Sequence, residues 1–271
     1  MHIETLHLEV TRNCTLECEH CLRGDRQNIN MNPIILDKIF KDVKKVDFLL
    51  LTGGEPLLAV ETIKRLKEII ETKRTRINKL YIISNGTVLT EKVLNAIKEI
   101  AKHTYTTIDI SVNIFHELEL KRLGLTSIRD KNLQTLKDIK LPCMLKVGEY
   151  GKENERRPRT GLVNQGKARN ITSERLAEIN SLTTHEYFIY EEENAHPKTT
   201  IYNDTIEGNI TIDVYGNIVS YGQTFEDEDI ESKEINLNVL TTPFNEAVTS
   251  FIEQYLPKKT HSLIKKYKTN S

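Results

Sequence analysis

The chain has 271 residues, 38% of them hydrophobic and 28% charged, which is typical of a globular protein of one large domain or two small ones. Its 38 basic and 39 acidic residues leave a formal net charge of −1, which argues against a protein built mainly to bind nucleic acid. No apolar run approaches the roughly 20 residues of a membrane span, and the N-terminus lacks a signal-peptide pattern, so we expect a cytoplasmic protein without a membrane partner.

The first two hundred residues alternate strand-like and helix-like segments. Short apolar runs such as 48–51 suit parallel strands covered on both faces, and the segments between them carry apolar residues at helical spacing. Strands are predicted at 6–11, 48–51, 80–83, 107–115, 144–147 and 187–190. Helices are predicted at 37–46, 63–70, 133–139 and 172–182, with one more that begins after the cap Thr90. Six β/α units in series predict a parallel α/β sheet, either an open partial barrel or a doubly wound sheet.

The pattern changes near residue 200, where we place a boundary between a first domain, 1–200, and a C-terminal extension, 201–271. The extension begins with a predicted hairpin at 209–221, and an acidic stretch at 226–234 follows it. An amphipathic helix is predicted at 244–256. The mixture of a hairpin and helices predicts a small α+β unit.

Three of the four cysteines fall within eight residues, directly after the first predicted strand. Cys14, Cys18 and Cys21 have the spacing C-x3-C-x2-C and lie at the C-terminal end of that strand, which is the functional face of parallel β/α folds. Three thiolates on one loop suit an iron–sulfur cluster or a zinc ion, for which His20 is a candidate fourth ligand. Three cysteines leave one iron of a four-iron cluster open, as a catalytic cluster requires.

The second predicted strand ends in Gly53-Gly54-Glu55-Pro56. Together with the cysteine spacing, this motif resembles the radical S-adenosylmethionine (radical SAM) enzymes. The resemblance implies a partial (β/α)6 TIM-like barrel with a small α+β C-terminal extension, and one [4Fe-4S] cluster on the three cysteines. It also implies that the glycine motif binds the amino group of the methionine moiety of SAM. Glycines allow a close backbone approach and a carboxylate accepts hydrogen bonds from an ammonium, so the residue types agree with that role.

Further polar residues follow the third and fourth predicted strands. The turn Ser84-Asn85-Gly86 resembles the adenosine-side turn of the family. Alternation along 107–115 places Ser111 and Asn113 on the face opposite the apolar residues, which makes them candidates for ribose and carboxylate contacts with SAM. Arg122 is a candidate for the methionine carboxylate, and a solvated helix charge is its alternative interpretation.

The resemblance also implies a reaction. One electron, delivered by a reductant such as flavodoxin or ferredoxin, cleaves SAM at the cluster to methionine and a radical that abstracts a hydrogen atom from the substrate. The protein must then position the substrate C–H bond and exclude water.

Polar residues on the first strand and the remaining cysteine have two interpretations each. His7, Glu9 and Thr11 alternate with apolar residues and are predicted to face the lumen, where they contact substrate or form a satisfied internal network. Cys143 directly precedes the fifth predicted strand, and its register, on the face opposite Lys146, favours an ordinary packed thiol over a hydrogen-atom donor.

The extension and a basic segment bear on the substrate class. Residues 212–219 resemble the strand–turn–strand opening of the SPASM or twitch extension of peptide-modifying members, but no cysteine follows Cys143, so we expect no auxiliary cluster. Residues 152–169 carry six basic and two acidic side chains, which predicts either a solvated loop or a site for an acidic peptide or phosphates. Within them, Gly166-Lys167-Ala168 resembles a Gly-Arg-Ala segment near the SAM site of those members.

The leading hypothesis is therefore a radical SAM enzyme that modifies a peptide or protein. A radical SAM enzyme acting on a nucleotide or small molecule would use the same core. A non-catalytic iron–sulfur regulatory or binding protein is the alternative from another class.

Overall fold

The computed structural model describes residues 1–72, 74–138, 144–150, 159–190, 199–202, 204–220 and 224–255. Its strands are β1 His2–Thr11, β2 Lys45–Gly53, β3 Arg76–Ser84, β4 Tyr105–Ser111, β5 Leu145–Tyr150, β6 Arg159–Val163, β7 Glu186–Tyr190, β8 Thr200–Tyr202, β9 Thr205–Ile212 and β10 Ile218–Val219. Its helices are α1 Ile34–Asp42, α2 Val60–Glu71, α3 Glu91–Ile100, α4 Ile114–Leu123, α5 Thr126–Asp138, α6 Ser173–Ser181, α7 Phe225–Ile235 and α8 Phe244–Ser250. Short 3-10 turns at Pro56–Leu58 and Gly166–Asn170 and a π-helical turn at Phe251–Tyr255 complete the described elements.

A mixed sheet forms the centre of the molecule, with strand order β10-β9-β1-β2-β3-β4-β5 and β8 paired to β9. Strands β1 to β5 are parallel, and β9 is parallel to β1. Successive strands are joined by helices, and the resulting α/β architecture is the partial barrel that the sequence predicted. The C-terminal ends of β1, β2 and β3 therefore lie side by side at one edge, where the cysteine and glycine loops begin.

The sixth parallel strand of this sheet is not the predicted one. The segment predicted at 187–190 forms most of β7, which pairs with β6 in a separate two-stranded sheet. Tyr187 packs there in a second apolar cluster with Phe115 and Ile179. The sixth position is filled by β9, whose isoleucines lie opposite the leucines of β1 in the pairs Leu6–Ile210 and Leu8–Ile212. The prediction for 187–190 was thus correct as a strand and wrong as to its sheet.

Two boundaries differ from the predicted ones because the chain changes direction inside a continuous apolar pattern. Helix α1 ends at Asp42, and the backbone of Val43 is already extended, so the predicted helix 37–46 runs too far. Strand β4 ends at Ser111, whereas the sequence predicted a strand to residue 115. The side chain of Asn113 accepts a hydrogen bond from His116 N and starts helix α4, which the sequence did not predict.

The main core lies between the sheet and helices α1, α2, α3 and α8. Leu6, Leu8, Leu49 and Leu51 of the central strands are buried in it. Thr90 caps α3 as predicted, since its Oγ1 accepts from Val93 N. This packing fixes the strands whose ends carry the candidate site.

The C-terminal part extends the same sheet. The predicted hairpin is confirmed as β9 and β10, and the acidic stretch forms α7. The predicted helix 244–256 is α8 followed by the π-helical turn. The domain boundary near residue 200 stays a prediction. None of the helices in the described ranges has the length and apolar character that crossing a membrane requires.

Candidate functional site

The three cysteines lie on one loop that leaves the C-terminal end of β1. Backbone hydrogen bonds from Cys21 N to Cys18 O (3.1 Å) and from Gly24 N to Cys21 O (3.3 Å) fold the loop back on itself. Cys18 is buried, and Cys14 and Cys21 are partly buried. We call residues 13–24 the cluster loop.

A cavity of about 240 Å³ opens beside this loop. All three cysteines line it, together with Gly53, Gly54 and Asn85 of the two neighbouring loops. The remaining lining residues used below are Arg12, His20, Arg23, His116, Lys167 and Phe225. The structure thus brings the two sequence motifs to one cavity.

The glycine motif touches the cluster loop directly. Gly54 N donates to Thr11 O (2.8 Å) and Glu55 N donates to Asn13 O (2.7 Å). A Cβ on Gly53 would lie 1.9 Å from Thr11 O, and Gly53 also has a φ of +130°. A Cβ on Gly54 would lie 2.2 Å from Asn13 O. The sequence pattern predicted that these glycines admit SAM; in the structure they first allow two backbones to meet.

Glu55 connects two loops and is not among the residues that line the cavity, and its contact with the amino group of SAM stays a prediction. The side chain is completely buried. Its carboxylate accepts hydrogen bonds from Ser84 Oγ (2.9 Å), Asn85 N (2.7 Å) and Leu57 N (3.0 Å). Burial raises the pKa of Glu55 to about 7, against the opposing effect of these donors. Pro56 follows as the first residue of the buried 3-10 turn.

The turn after β3 reaches the cluster loop through Asn85. Asn85 Nδ2 lies 3.0 Å from Thr15 Oγ1 and 3.5 Å from Cys14 Sγ. Ser84 is buried and holds Glu55 and Gly86 N instead of lining the cavity. Of the two predicted residues, Asn85 therefore lines the cavity and Ser84 does not, and their contacts with SAM stay predictions.

Asn113 is brought to the cluster loop by a different route from the predicted one. It caps α4 and is not a lumen-facing strand residue, and its Nδ2 lies 3.3 Å from His20 Nε2. The His20 ring stacks on Phe115 with 4.5 Å between centroids, and His116 contacts its edge. Burial lowers the pKa of His116 to about 4, so this aromatic wall is neutral near pH 7.

Ser111 and Arg122 lie outside the lining of the cavity. Ser111 is buried at the end of β4. Arg122 makes a two-point ion pair with Glu119, at 2.7 and 2.8 Å, and Glu119 also accepts from Glu17 N of the cluster loop. Arg122 thus contacts the loop indirectly.

Part of the basic segment packs on the cluster loop. Lys167 N donates to Cys21 O (3.0 Å), and its ammonium lies 3.3 Å from an Asp25 oxygen. The segment Gly166-Lys167-Ala168 therefore lies at the site, as its resemblance implied. Residues 152–158 and Cys143 lie outside the described residues.

Two arginines at the ends of the cluster loop were not predicted from the sequence. Arg12 and Arg23 line the cavity, and both pair with Glu9, which is completely buried. Glu9 also accepts from Val214 N, so it belongs to an internal network. The sequence feature that could have identified them is their spacing, because Arg12 lies two residues before Cys14 and Arg23 two residues after Cys21.

The cysteines suit a cluster better than a single ion. No set of three His, Cys, Asp or Glu side chains in the described ranges is arranged to hold one metal ion, and His20 is engaged with Asn113. A cubane bonds each cysteine to a different iron, so its thiolates do not converge on one point. Burial raises the pKa of Cys14 to about 12 and also raises that of Cys18, so these two thiols are protonated in the metal-free protein and a metal would displace their protons.

Known proteins similar to this chain share this region. The family model of the radical SAM superfamily matches residues 8–148. GTP 3′,8-cyclase of Clostridium perfringens is 28% identical over 141 residues, which cover 49% of this chain and 42% of that protein. An uncharacterized protein of Methanocaldococcus jannaschii is 30% identical over 150 residues, 51% of this chain and 50% of that one. The chain thus spans about half the length of the curated relatives it matches.

A solved structure extends the likeness in fold. Streptococcus suis SuiB bound to the precursor peptide SuiA aligns with a TM-score of 0.52 at 14% identity, over 93% of this chain and 65% of SuiB. The superfamily match covers the cysteine loop, the glycine motif and the strands that carry them. The chain belongs to the radical SAM superfamily, whose characteristic cofactors are a [4Fe-4S] cluster and S-adenosylmethionine.

Proposed function

We propose that this protein is a radical SAM enzyme that holds one [4Fe-4S] cluster on Cys14, Cys18 and Cys21 and modifies a peptide or protein. The observation that carries the proposal is the shared cavity of the two motifs, beside which Gly54 N is bonded to Thr11 O at the end of β1 and Glu55 N to Asn13 O of the cluster loop. A ligand bound at an open iron would therefore meet the glycine backbone and Asn85 at once.

When bound, the cluster supplies the electron that cleaves SAM and so generates the radical that abstracts a substrate hydrogen atom. The residues of this chain contribute position and exclusion of water. The backbone N–H groups of Gly54 and Glu55 are bonded to Thr11 O and Asn13 O, and Asn85 is held beside Cys14. The buried Cys18 and the His20 ring, which stacks on Phe115, keep water from one side of the cavity.

The other residues predicted to contact SAM differ in the residues that they contact in the structure. Asn113 and Ser111 are proposed on the ribose side, with Asn113 already at the cluster loop. Ser84 acts through Glu55. Arg122 would have to release Glu119 to reach the methionine carboxylate.

The peptide substrate is supported by the extent of the likeness to SuiB, which covers 93% of the chain and includes the extension. SuiB was solved with a precursor peptide bound, so the fold accommodates one in that protein. The second candidate, a nucleotide substrate, is favoured by the similarity to GTP 3′,8-cyclase over about half of the chain. A reductant such as flavodoxin or ferredoxin is proposed as the electron source for either reaction.

The test is anaerobic reconstitution followed by substrate comparison. The purified protein is expected to bind about four irons and, with dithionite and SAM, to form 5′-deoxyadenosine. A short peptide encoded beside this gene should accelerate that formation and change in mass, whereas GTP should do neither. Acceleration by GTP would replace the peptide proposal by the nucleotide one. Iron binding without SAM cleavage would favour a non-catalytic protein.

A further inference from the structure

Helix α7 of the C-terminal extension lies against the cluster loop and holds it at Arg23 by three contacts. Phe225 N donates to Arg23 O (3.0 Å), and Arg23 Nη2 donates to Glu228 Oε1 (2.6 Å). The Arg23 guanidinium also lies 4.8 Å from the centroid of the Phe225 ring. Both the backbone and the side chain of Arg23, two residues after Cys21, are thereby fixed by α7.

The same helix holds the other end of the loop at Arg12, two residues before Cys14. The Arg12 side chain is completely buried, with its Nη2 3.5 Å from Glu228 Oε2 and its Nη1 2.8 Å from Asp229 Oδ1. Its guanidinium lies over the rings of Tyr215 (5.1 Å) and Phe225 (4.9 Å). Two residues of α7, Phe225 and Glu228, therefore contact both ends of the cysteine segment, and Glu228 is the one that does so through ion pairs.

Glu9 completes a closed set of charges. It pairs with Arg12 Nε (3.1 Å) and Arg23 Nη2 (2.6 Å), so two guanidinium groups share two completely buried carboxylates. Burying charges is unfavourable unless each is paired, and removing one partner strands the others. Substituting Glu228 would remove one of the two completely buried carboxylates that the described residues place against both arginines, and Glu9 would remain. The segment between them would then lose its two ion pairs with Glu228 and would be held to α7 by the weaker set of contacts with Phe225 and Asp229.

We infer that α7 is the element that positions the cluster loop and that Glu228 is its positioning residue. The extension has no cysteine of its own, and it completes the cofactor site by fixing the two arginines that flank the ligating cysteines. Phe225 forms part of the cavity wall in the same way. The inference rests on the cluster loop as the proposed function assigns it.

Hydrogen exchange of the metal-free protein tests this positioning directly. In Glu228→Gln, amides of residues 13–24 should exchange about tenfold faster than in the wild type, while those of β3 keep their wild-type rates. Glu226→Gln is the matched control, because Glu226 is exposed on the same helix and the chemical change is identical. It should leave the loop unchanged.

A second control separates positioning from general destabilisation. Ser220 donates from both N and Oγ to Glu231, one turn further along α7, and Ser220→Ala weakens that attachment without touching Arg12 or Arg23. Ser220→Ala should lower the overall stability and leave the exchange of 13–24 slow relative to β3. Equal loop exchange in Glu228→Gln and the wild type, or in Glu228→Gln and Ser220→Ala, would overturn the inference.

Reconstitution of the cluster then tests whether the position of the loop affects iron binding. Glu228→Gln should retain less than half of the iron that Glu226→Gln binds under identical anaerobic conditions. Equal iron contents in the two variants would count against positioning of the ligating cysteines. If the wild type itself bound no iron, the proposed function would fail, and the exchange experiment would still decide whether α7 positions the loop.

Discussion

Gly54 lies so close to Asn13 that a Cβ on Gly54 would be 2.2 Å from the Asn13 carbonyl oxygen. No side chain fits at that distance, so the Gly53-Gly54 motif determines where the cluster loop begins. The cysteine loop and the glycine loop are therefore one structural unit, and a change in the second must move the first.

Gly54→Ala is expected to reduce cluster incorporation. The added methyl group collides with backbone, which cannot turn aside as a flexible side chain can, so residues 13–14 must shift. We expect less than half of the wild-type iron after anaerobic reconstitution. Iron analysis with the absorbance near 400 nm measures it.

The matched control is Gly124→Ala. Gly124 ends α4 with a φ of +68°, and a Cβ added there would have no other atom within 4 Å. A residue with a Cβ is strained at this φ, so Gly124→Ala should lower the stability by about 1 kcal/mol. The iron content should stay unchanged. Wild-type iron in Gly54→Ala would show that the cluster loop does not depend on this contact.

Glu55→Ala is expected to destabilise the metal-free protein by about 3 kcal/mol or more, because two buried backbone N–H groups, those of Leu57 and Asn85, lose their acceptor. Ser84→Ala removes one donor to the same carboxylate and should cost about 1 kcal/mol. Urea unfolding at pH 7 measures both. A Glu55→Ala variant as stable as the wild type would contradict this prediction. It would show that the carboxylate does not stabilise the metal-free fold through these hydrogen bonds.

Iron content should distinguish the three proposed ligand cysteines from Cys143. Replacing Cys14, Cys18 or Cys21 by Ala is expected to lower the iron from about four per chain to below about one, since a cubane held at two corners is readily lost. Cys143→Ala should keep the wild-type content. About eight irons per chain, or a loss of iron in Cys143→Ala, would contradict a single three-cysteine cluster.

The sequence predicted the parts of the site that depend on local pattern. Cysteine spacing and the glycine motif are contiguous, and each follows a strand, so their meeting follows from parallel pairing of β1 and β2. Asn113 was misplaced because polar alternation continues past Ser111 while the backbone turns into a helix cap. Alternation describes faces of a strand and carries no information about where the strand ends.

Long-range partners were beyond local pattern. The pairing of β9 with β1 depends on which apolar strand covers the free edge of β1, and the local pattern of a strand does not identify its partner. Arg12 meets Asp229 across 217 residues of sequence. The acidic sequence of α7 would suit a helix that is fully exposed to solvent equally well. Only the fold shows that its carboxylates pair with Arg12 and Arg23.

His7 should make the protein sensitive to mild acid. It is buried on β1 between Leu50 and Thr211 of the neighbouring strands, and burial lowers its pKa to about 4. The folded protein thus keeps His7 neutral. In the unfolded chain the pKa of histidine is about 6.5, so His7 takes up a proton below that pH. Below pH 6.5 the unfolded state binds more protons, so stability falls as the pH falls from about 6.5 towards 4.

Comparison of variants isolates this contribution from the other titrating groups, such as His116, which both proteins share. Between pH 7 and 5, the wild type should lose about 2 kcal/mol more unfolding free energy than His7→Gln, as measured by urea denaturation. His103→Gln is the control, because the His103 side chain is exposed just after the end of α3 and stays in solvent in both states. It should follow the wild-type dependence. Parallel pH dependence of His7→Gln and the wild type would show that the folded protein protonates His7 as readily as the unfolded chain does.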